Sequence, residues 1–208
     1  MHGNLNLVLL GKIGAGKSAS GNTILGRQAF KSKGSFSLVT QDIAVETGTV
    51  CKQRVTVYDT PGLSNAKLSA DKIQKMLDIF KTCESGLCVF LLIIKTGRFT
   101  EKDRLIVKRI EELLGETRLK KTWIVFTEGD QLEKEKLAID EFIRENEQLE
   151  SLVKEYDERY HVFNNMEKAS PDKFKSCLGK YIKCVLKQKQ SPGYAKSCVC
   201  VCMCACAR

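Results

Sequence analysis

The feature that most constrains this chain is Gly11-Lys12-Ile13-Gly14-Ala15-Gly16-Lys17-Ser18, which satisfies G-x-x-x-x-G-K-[ST] at every position. The residue types answer to one task, the holding of phosphate. Gly11, Gly14 and Gly16 allow the backbone to wrap an anion with its N–H groups. Lys17 adds a point charge for the outer phosphates, and the Ser18 hydroxyl can ligate Mg²⁺. The flanks agree. Asn4–Leu10 is an apolar run that reads as a buried strand. A helix follows to about Leu25 and is closed by Gly26, so the loop meets the positive end of a helix. Lys12, Ile13, Ala15 and Ala19 complete the expected phosphate-side contacts.

The rest of the chain alternates strands with helices. Asp42–Thr47 and Gln53–Tyr58 read as two strands joined around Gly48. Lys67–Lys81 has a helical period, with Ile73, Met76, Leu77 and Phe80 on one face. Leu87–Ile94 is wholly apolar, as a central strand should be. Glu101–Leu114 predicts a helix with a stripe of Leu105, Ile106, Ile110, Leu113 and Leu114, closed by Gly115. Lys121–Phe126 reads as a strand, Leu137–Tyr156 as a helix, and Tyr160–Phe163 as a short last strand. Ser170-Pro171 starts a final helix that runs to about Gln188. The expected fold is α/β, doubly wound around a mostly parallel sheet, with ligands at the carboxyl ends of the strands.

Composition excludes several classes. With 208 residues, 43% hydrophobic and 28% charged, the chain suits one packed domain. The domain is expected over residues 1–190. The net charge of +9 is spread along helices, as in Glu101-Lys102-Asp103-Arg104, which describes solvated faces and not a nucleic-acid groove. No signal peptide or membrane-length apolar run is present, which points to the cytosol. Five of the ten cysteines alternate in the tail from Cys198 to Cys206. Residues 191–208 admit three readings: a metal-binding tail, an acylated membrane tail, or an artefact of a translated TG repeat. Alternation places the thiols on one face of an extended chain, unlike a zinc knuckle. The residues before the tail give membrane attachment no support.

Two further patterns address the nucleotide. Asp59-Thr60-Pro61-Gly62 follows an apolar strand and fits the D-x-x-G of P-loop GTPases. There Asp59 would hold Mg²⁺ through a water, and the Gly62 N–H would sense the γ-phosphate. Thr127-Glu128-Gly129-Asp130 resembles the guanine-reading [NT]-K-x-D element. Asp130 would accept the guanine N1–H and N2–H₂, an edge that adenine lacks. Glu128 departs from the pattern, because a lysine that stacks along the base is usual there. Asn164 and Asn165 follow the last strand, where a further base-contacting loop or a plain polar turn is expected.

These pieces together resemble the GTPases of immunity-associated proteins, the GIMAP family, in the septin-like branch of P-loop GTPases. The likeness rests on GKIGAGKSASGNTILG (Gly11–Gly26), Val39-Thr40, DTPG, LLIIKTGRFTEKD (Leu91–Asp103), FTEGDQL (Phe126–Leu132) and RYHVFNN (Arg159–Asn165). It covers about residues 4–188, and fish members look especially similar. The resemblance implies GTP, GDP and Mg²⁺ as ligands. It implies that Thr40 is the switch threonine, joining Ser18 and Asp59 at the metal. It also implies self-association across the nucleotide face, as a homodimer or with related G domains. Arg98 would be a finger in the partner's site, or else a surface arginine pairing with Glu101. Leu63 stands where Ras-like enzymes place a water-orienting glutamine, so slow hydrolysis is expected. The catalytic set is then Lys17, Thr40 and Arg98. Two functions stay open: a slow GTPase, and a GTP-gated scaffold that hardly hydrolyses. An ATP-using P-loop enzyme is the third class, and Asp130 and DTPG argue against it.

Overall fold

The computed structural model describes residues 4–31, 42–50, 52–64 and 69–165. Six strands form one sheet in the order β2-β3-β1-β4-β5-β6. They are β1 Leu5–Gly11, β2 Ala44–Val50, β3 Gln53–Asp59, β4 Leu87–Lys95, β5 Thr122–Thr127 and β6 Tyr160–Val162. All neighbouring pairs run parallel except β2 with β3. The helices are α1 Lys17–Leu25, α2 Ala70–Glu84, α3 Glu101–Leu119, α4 Gly129–Glu135, α5 Ile139–Arg144 and α6 Glu147–Glu155. The fold is the expected α/β fold with a mostly parallel sheet.

Strand pleating divides the core in two. Leu5, Leu7 and Leu9 of β1 face Ile24 of α1, Phe30 and Val55 and Val57 of β3. Val8 and Leu10 face the other way, toward Met76 and Phe80 of α2, Ile106 and Ile110 of α3, and Leu149 and Leu152 of α6. Every residue of β1 is buried, so a continuous apolar run was needed there and an alternating one was not. Strand order reverses around β1, and the carboxyl end of β1 carries the glycine-rich loop. That is the crevice where open α/β sheets hold ligands.

Several expectations need correction. The β2–β3 turn does not fall at Gly48, which pairs with Val55 inside the ladder. Gly48 instead gives room to α1: a Cβ there would lie 3.0 Å from Leu25 Cδ2. The chain reverses after Val50, with Lys52 at φ 66°. On α3 the stripe is rotated. Leu105 is 52% exposed, and Val107 is buried in its place. Gly115, at φ 67°, breaks α3 as expected, yet a further turn continues to Leu119. The helix foreseen over 137–156 is two helices. Asn146 caps the second by accepting from Leu149 N–H at 3.1 Å. Finally, α2 begins at Ala70 behind the Ser69 cap, and Lys67, its expected start, lies outside the described residues. Its buried face is Met76, Phe80 and Cys83. The helix expected from Ser170 and the cysteine tail lie outside the described residues.

Phe80 and Phe90 meet edge to face at 5.2 Å between centroids, both fully buried, with Arg118 over the Phe80 ring at 5.5 Å. Phe90→Ala is expected to cost about 3–5 kcal/mol of unfolding free energy, read from urea denaturation. A loss below about 1 kcal/mol would show that this pair does not anchor the α2–sheet layer.

Candidate functional site

The glycines at the end of β1 have the conformations that phosphate binding needs. Gly14 and Gly16 sit at φ 76° and 93°, in the left-handed region closed to most residues. Gly16 is also the residue before α1. A Cβ on Gly11 would lie 2.5 Å from the Ile93 carbonyl oxygen, so β1 and β4 can approach there only with glycine. Ala15 is anchored from β5, where Thr127 Oγ1 donates to its carbonyl at 2.8 Å.

Lys17 is buried, and its Nζ donates to the carbonyls of Lys12 and Gly11 at 3.0 and 3.3 Å. These bonds curl the loop around the ammonium. Burial pushes the Lys17 pKa down to about 8, while the Asp59 carboxylate pulls it back up. Ser18 Oγ donates to Asp59 Oδ2 at 2.6 Å. Hydroxyl and carboxylate oxygens therefore stand side by side next to the cradle, a donor set that fits Mg²⁺.

The DTPG segment is built onto the loop. Ile13 N–H donates to the Leu63 carbonyl at 3.0 Å, and Leu63 N–H donates to the Gly11 carbonyl at 3.1 Å. A Cβ on Gly62 would fall 2.7 Å from Ile13 Cα, so this contact requires glycine. Thr60 holds the segment to β1 by donating to the Leu9 carbonyl at 2.6 Å. Leu63 is buried against the apolar core and brings no polar group to this face.

On the far side of the loop, TEGD joins β5 to α4. Gly129 N–H donates to the Phe163 carbonyl at 3.1 Å, and a Cβ at Gly129 would strike Val162 Cγ1 at 2.7 Å. Asp130 Oδ2 accepts from Lys134 Nζ at 3.2 Å and from Gln131 Nε2 at 3.4 Å. Asp130 Oδ1 is buried and has no hydrogen-bond partner among the described residues. A buried acceptor in that condition fits a ligand donor.

Comparison with known proteins agrees with this geometry. The AIG1 family profile matches residues 5–200. The chain belongs to the AIG1 family. Human GTPase IMAP family member 8 is 35% identical over 175 residues, covering 84% of this chain and 26% of its own length. Immune-associated nucleotide-binding protein 9 of Arabidopsis thaliana is 32% identical over 202 residues, covering 91% of this chain and 57% of its own. This chain thus spans about a quarter of the first relative's length and just over half of the second's. A solved structure of the chloroplast translocon components atToc33 and psToc159, in which dimerisation is important for GTPase activity, superposes with a TM-score of 0.67 at 21% identity, covering 88% of this chain and 83% of that one. Arabidopsis Toc33 in complex with Mg²⁺ and GMPPNP superposes at 0.63 and 20% identity, covering 91% and 87%. At these identities the structures establish a shared α/β fold.

The AIG1 domain also holds pairs that sequence reading missed. Lys12 Nζ bonds Asp103 Oδ1 at 2.6 Å, joining the loop to the start of α3. Asp103 Oδ2 accepts from the Thr100 N–H and hydroxyl at 3.0 and 2.7 Å, closing a capping box. Burial opposes the Asp103 charge, but Lys12 and Thr100 together hold its carboxyl below the usual range. Only the T-x-x-D spacing could have signalled half of this. Arg98 is exposed beside Lys12 and Asp103, and among the described residues it makes no ion pair, with Glu101 or otherwise. Asn165 turns to α1, accepting from Thr23 Oγ1 at 2.7 Å and donating to Ser20 Oγ at 3.2 Å. Asn164 follows Phe163 on the same segment. Ile13 is exposed on the loop, and Ala19 lies in the first turn of α1. Thr40 lies outside the described residues.

A lysine with a lowered pKa destabilises the fold while it is charged. The folded chain binds fewer protons than the unfolded chain between about pH 8 and the ordinary value of 10.5. This group's contribution to stability therefore rises with pH across that window. Urea unfolding of the ligand-free chain and of Lys17→Met is expected to differ by a margin that moves in favour of the parent as pH rises through it. A margin independent of pH would mean that Lys17 keeps an ordinary pKa.

Proposed function

We propose that this chain binds GTP and GDP with Mg²⁺, hydrolyses GTP slowly, and associates G domain to G domain when loaded with GTP. The observation that carries this reading is the Asp130 oxygen, buried and without a hydrogen-bond partner among the described residues, together with the curled loop of Gly11–Lys17. In this reading Gly11 to Ala19 wrap the phosphates and Lys17 neutralises the outer ones. Ser18, Thr40 and, through a water, Asp59 would hold Mg²⁺, which would offset the charge of the phosphates. Gly62 N–H meets the γ-phosphate, and Thr127 braces the loop under it. Asp130 accepts from the guanine edge, with Asn164 and Asn165 on the neighbouring segment.

Hydrolysis transfers the γ-phosphoryl group to water, leaving GDP and phosphate. The buried, apolar Leu63 offers nothing to orient that water. Arg98 is exposed and without an ion pair among the described residues, which suits a cation offered to a partner's phosphates. The partner is a second copy or a related G domain, and the compartment is the cytosol. Among the described residues, no helix is long and apolar enough to cross a membrane. The domain spans residues 1–190, followed by the cysteine tail. Leu63 also favours a second reading, a GTP-gated scaffold with negligible turnover.

Titration with fluorescent GDP, competed by GTP, GDP and ATP in Mg²⁺, tests the ligand. Guanine nucleotides are expected to compete at least about 100-fold better than ATP. Light scattering on the same samples should show mass rising with GTP. Turnover should climb with protein concentration, and Arg98→Ala should lower that climb at least about tenfold. No guanine preference overturns the reading. GTP-dependent assembly without turnover at high concentration selects the scaffold.

A further inference from the structure

The base-reading turn has an acidic residue where a cation is expected, and the structure places a cation beside it. Lys95, the last residue of β4, bonds Glu128 Oε1 through Nζ at 2.9 Å. The two residues are distant in sequence, but β4 and β5 pair in parallel with Lys95 opposite Thr127. The backbone fixes the meeting. Glu128 is in the left-handed conformation at φ 62°, at the start of α4. Its carbonyl accepts from Thr96 Oγ1 at 3.1 Å, and Thr96 N–H donates to the Thr127 carbonyl at 3.1 Å. The residue after Lys95 is thus bonded twice to the TEGD turn. Lys95 also lines a small cavity with Gly11, Lys12, Arg98 and Asp103, so it borders the start of the glycine-rich loop as well as bonding the turn.

We propose that Lys95 is a positioning residue for nucleotide binding, acting by neutralising Glu128 and so replacing the cation that the TEGD sequence lacks. The proposal rests on the guanine-nucleotide reading above. Without Lys95, two carboxylates, Glu128 and Asp130, would stand on one short turn of a site proposed to take an anionic nucleotide. Lys134 already serves Asp130 Oδ2, and Lys12 is committed to Asp103. That leaves Glu128 dependent on Lys95. Lys95 and Glu128 are 47% and 37% exposed, so the coupling is modest and sensitive to salt.

The test is GDP affinity, measured by calorimetry at low salt on the full chain and on Lys95→Ala, Glu128→Gln and the double variant. Thermal unfolding of each without ligand checks the fold. Lys95→Ala is expected to weaken GDP about three- to fivefold, and the double variant to return to within about twofold of the parent. Raising the salt should shrink the loss. Lys95→Ala binding like the parent overturns the proposal. So does equal weakening of Lys95→Ala and the double variant, because Lys95 would then act without Glu128. If Lys95→Ala does not fold, Glu128→Gln decides. Parental or tighter GDP binding supports the proposal, since the carboxylate is then dispensable once neutral, and weaker binding overturns it. A parent chain that binds no guanine nucleotide would refute the function itself, which is a different result from any of these.

Discussion

Two backbone hydrogen bonds, Ile13 N–H to the Leu63 carbonyl and Leu63 N–H to the Gly11 carbonyl, lock the phosphate loop to the end of β3. They form only because Gly62 has no side chain where Ile13 passes. Once the segments are locked, Asp59 is fixed beside Ser18 and near the buried ammonium of Lys17. The cradle and the acidic group therefore form one rigid unit. Thr127 extends that unit to β5 through Ala15, which brings the TEGD turn alongside. A substitution at Gly62 would disturb every one of these relations, although the residue carries no functional group.

Charge is arranged around this unit in short pairs. Lys12 meets Asp103, Lys95 meets Glu128, and Lys134 meets Asp130. Among the described residues Lys17 has only carbonyl partners and the nearby Asp59, which suits the phosphate-binding role proposed for it. Desolvation makes its charge costly for the empty protein and makes each contact with an anion stronger. Arg98 is the other uncommitted cation at this edge among the described residues, and it faces solvent.

Much of this was legible in the chain itself. The strand, glycine turn and helix around Gly11–Ser18 were readable because that motif admits few residue types at a fixed spacing. Buried strands such as β1 and β4 were readable because both faces are covered and the apolar runs are unbroken. The errors have local causes. Gly48 has turn chemistry but serves helix packing, and no single sequence distinguishes the two uses. Leu105 and Val107 both fit a helical period, and only the tilt of α3 on the sheet decides which is buried. The helix over 137–156 was too long because the Asn146 cap, bonded to the Phe99 carbonyl at 2.9 Å, depends on a tertiary contact. The pairs of Lys12 with Asp103 and Lys95 with Glu128 cross between elements, so spacing could not reveal them.

In the proposed function Asp130 accepts from a guanine edge. Replacing the carboxylate with an amide exchanges one acceptor oxygen for a donor. Xanthine differs from guanine by an acceptor oxygen at position 2 in place of the amino group. Affinities of the parent chain and Asp130→Asn for GDP and for xanthosine diphosphate test the claim directly. The parent is expected to prefer GDP, and Asp130→Asn to prefer xanthosine diphosphate. Loss of both ligands together, or an unchanged preference for GDP, would contradict the claim.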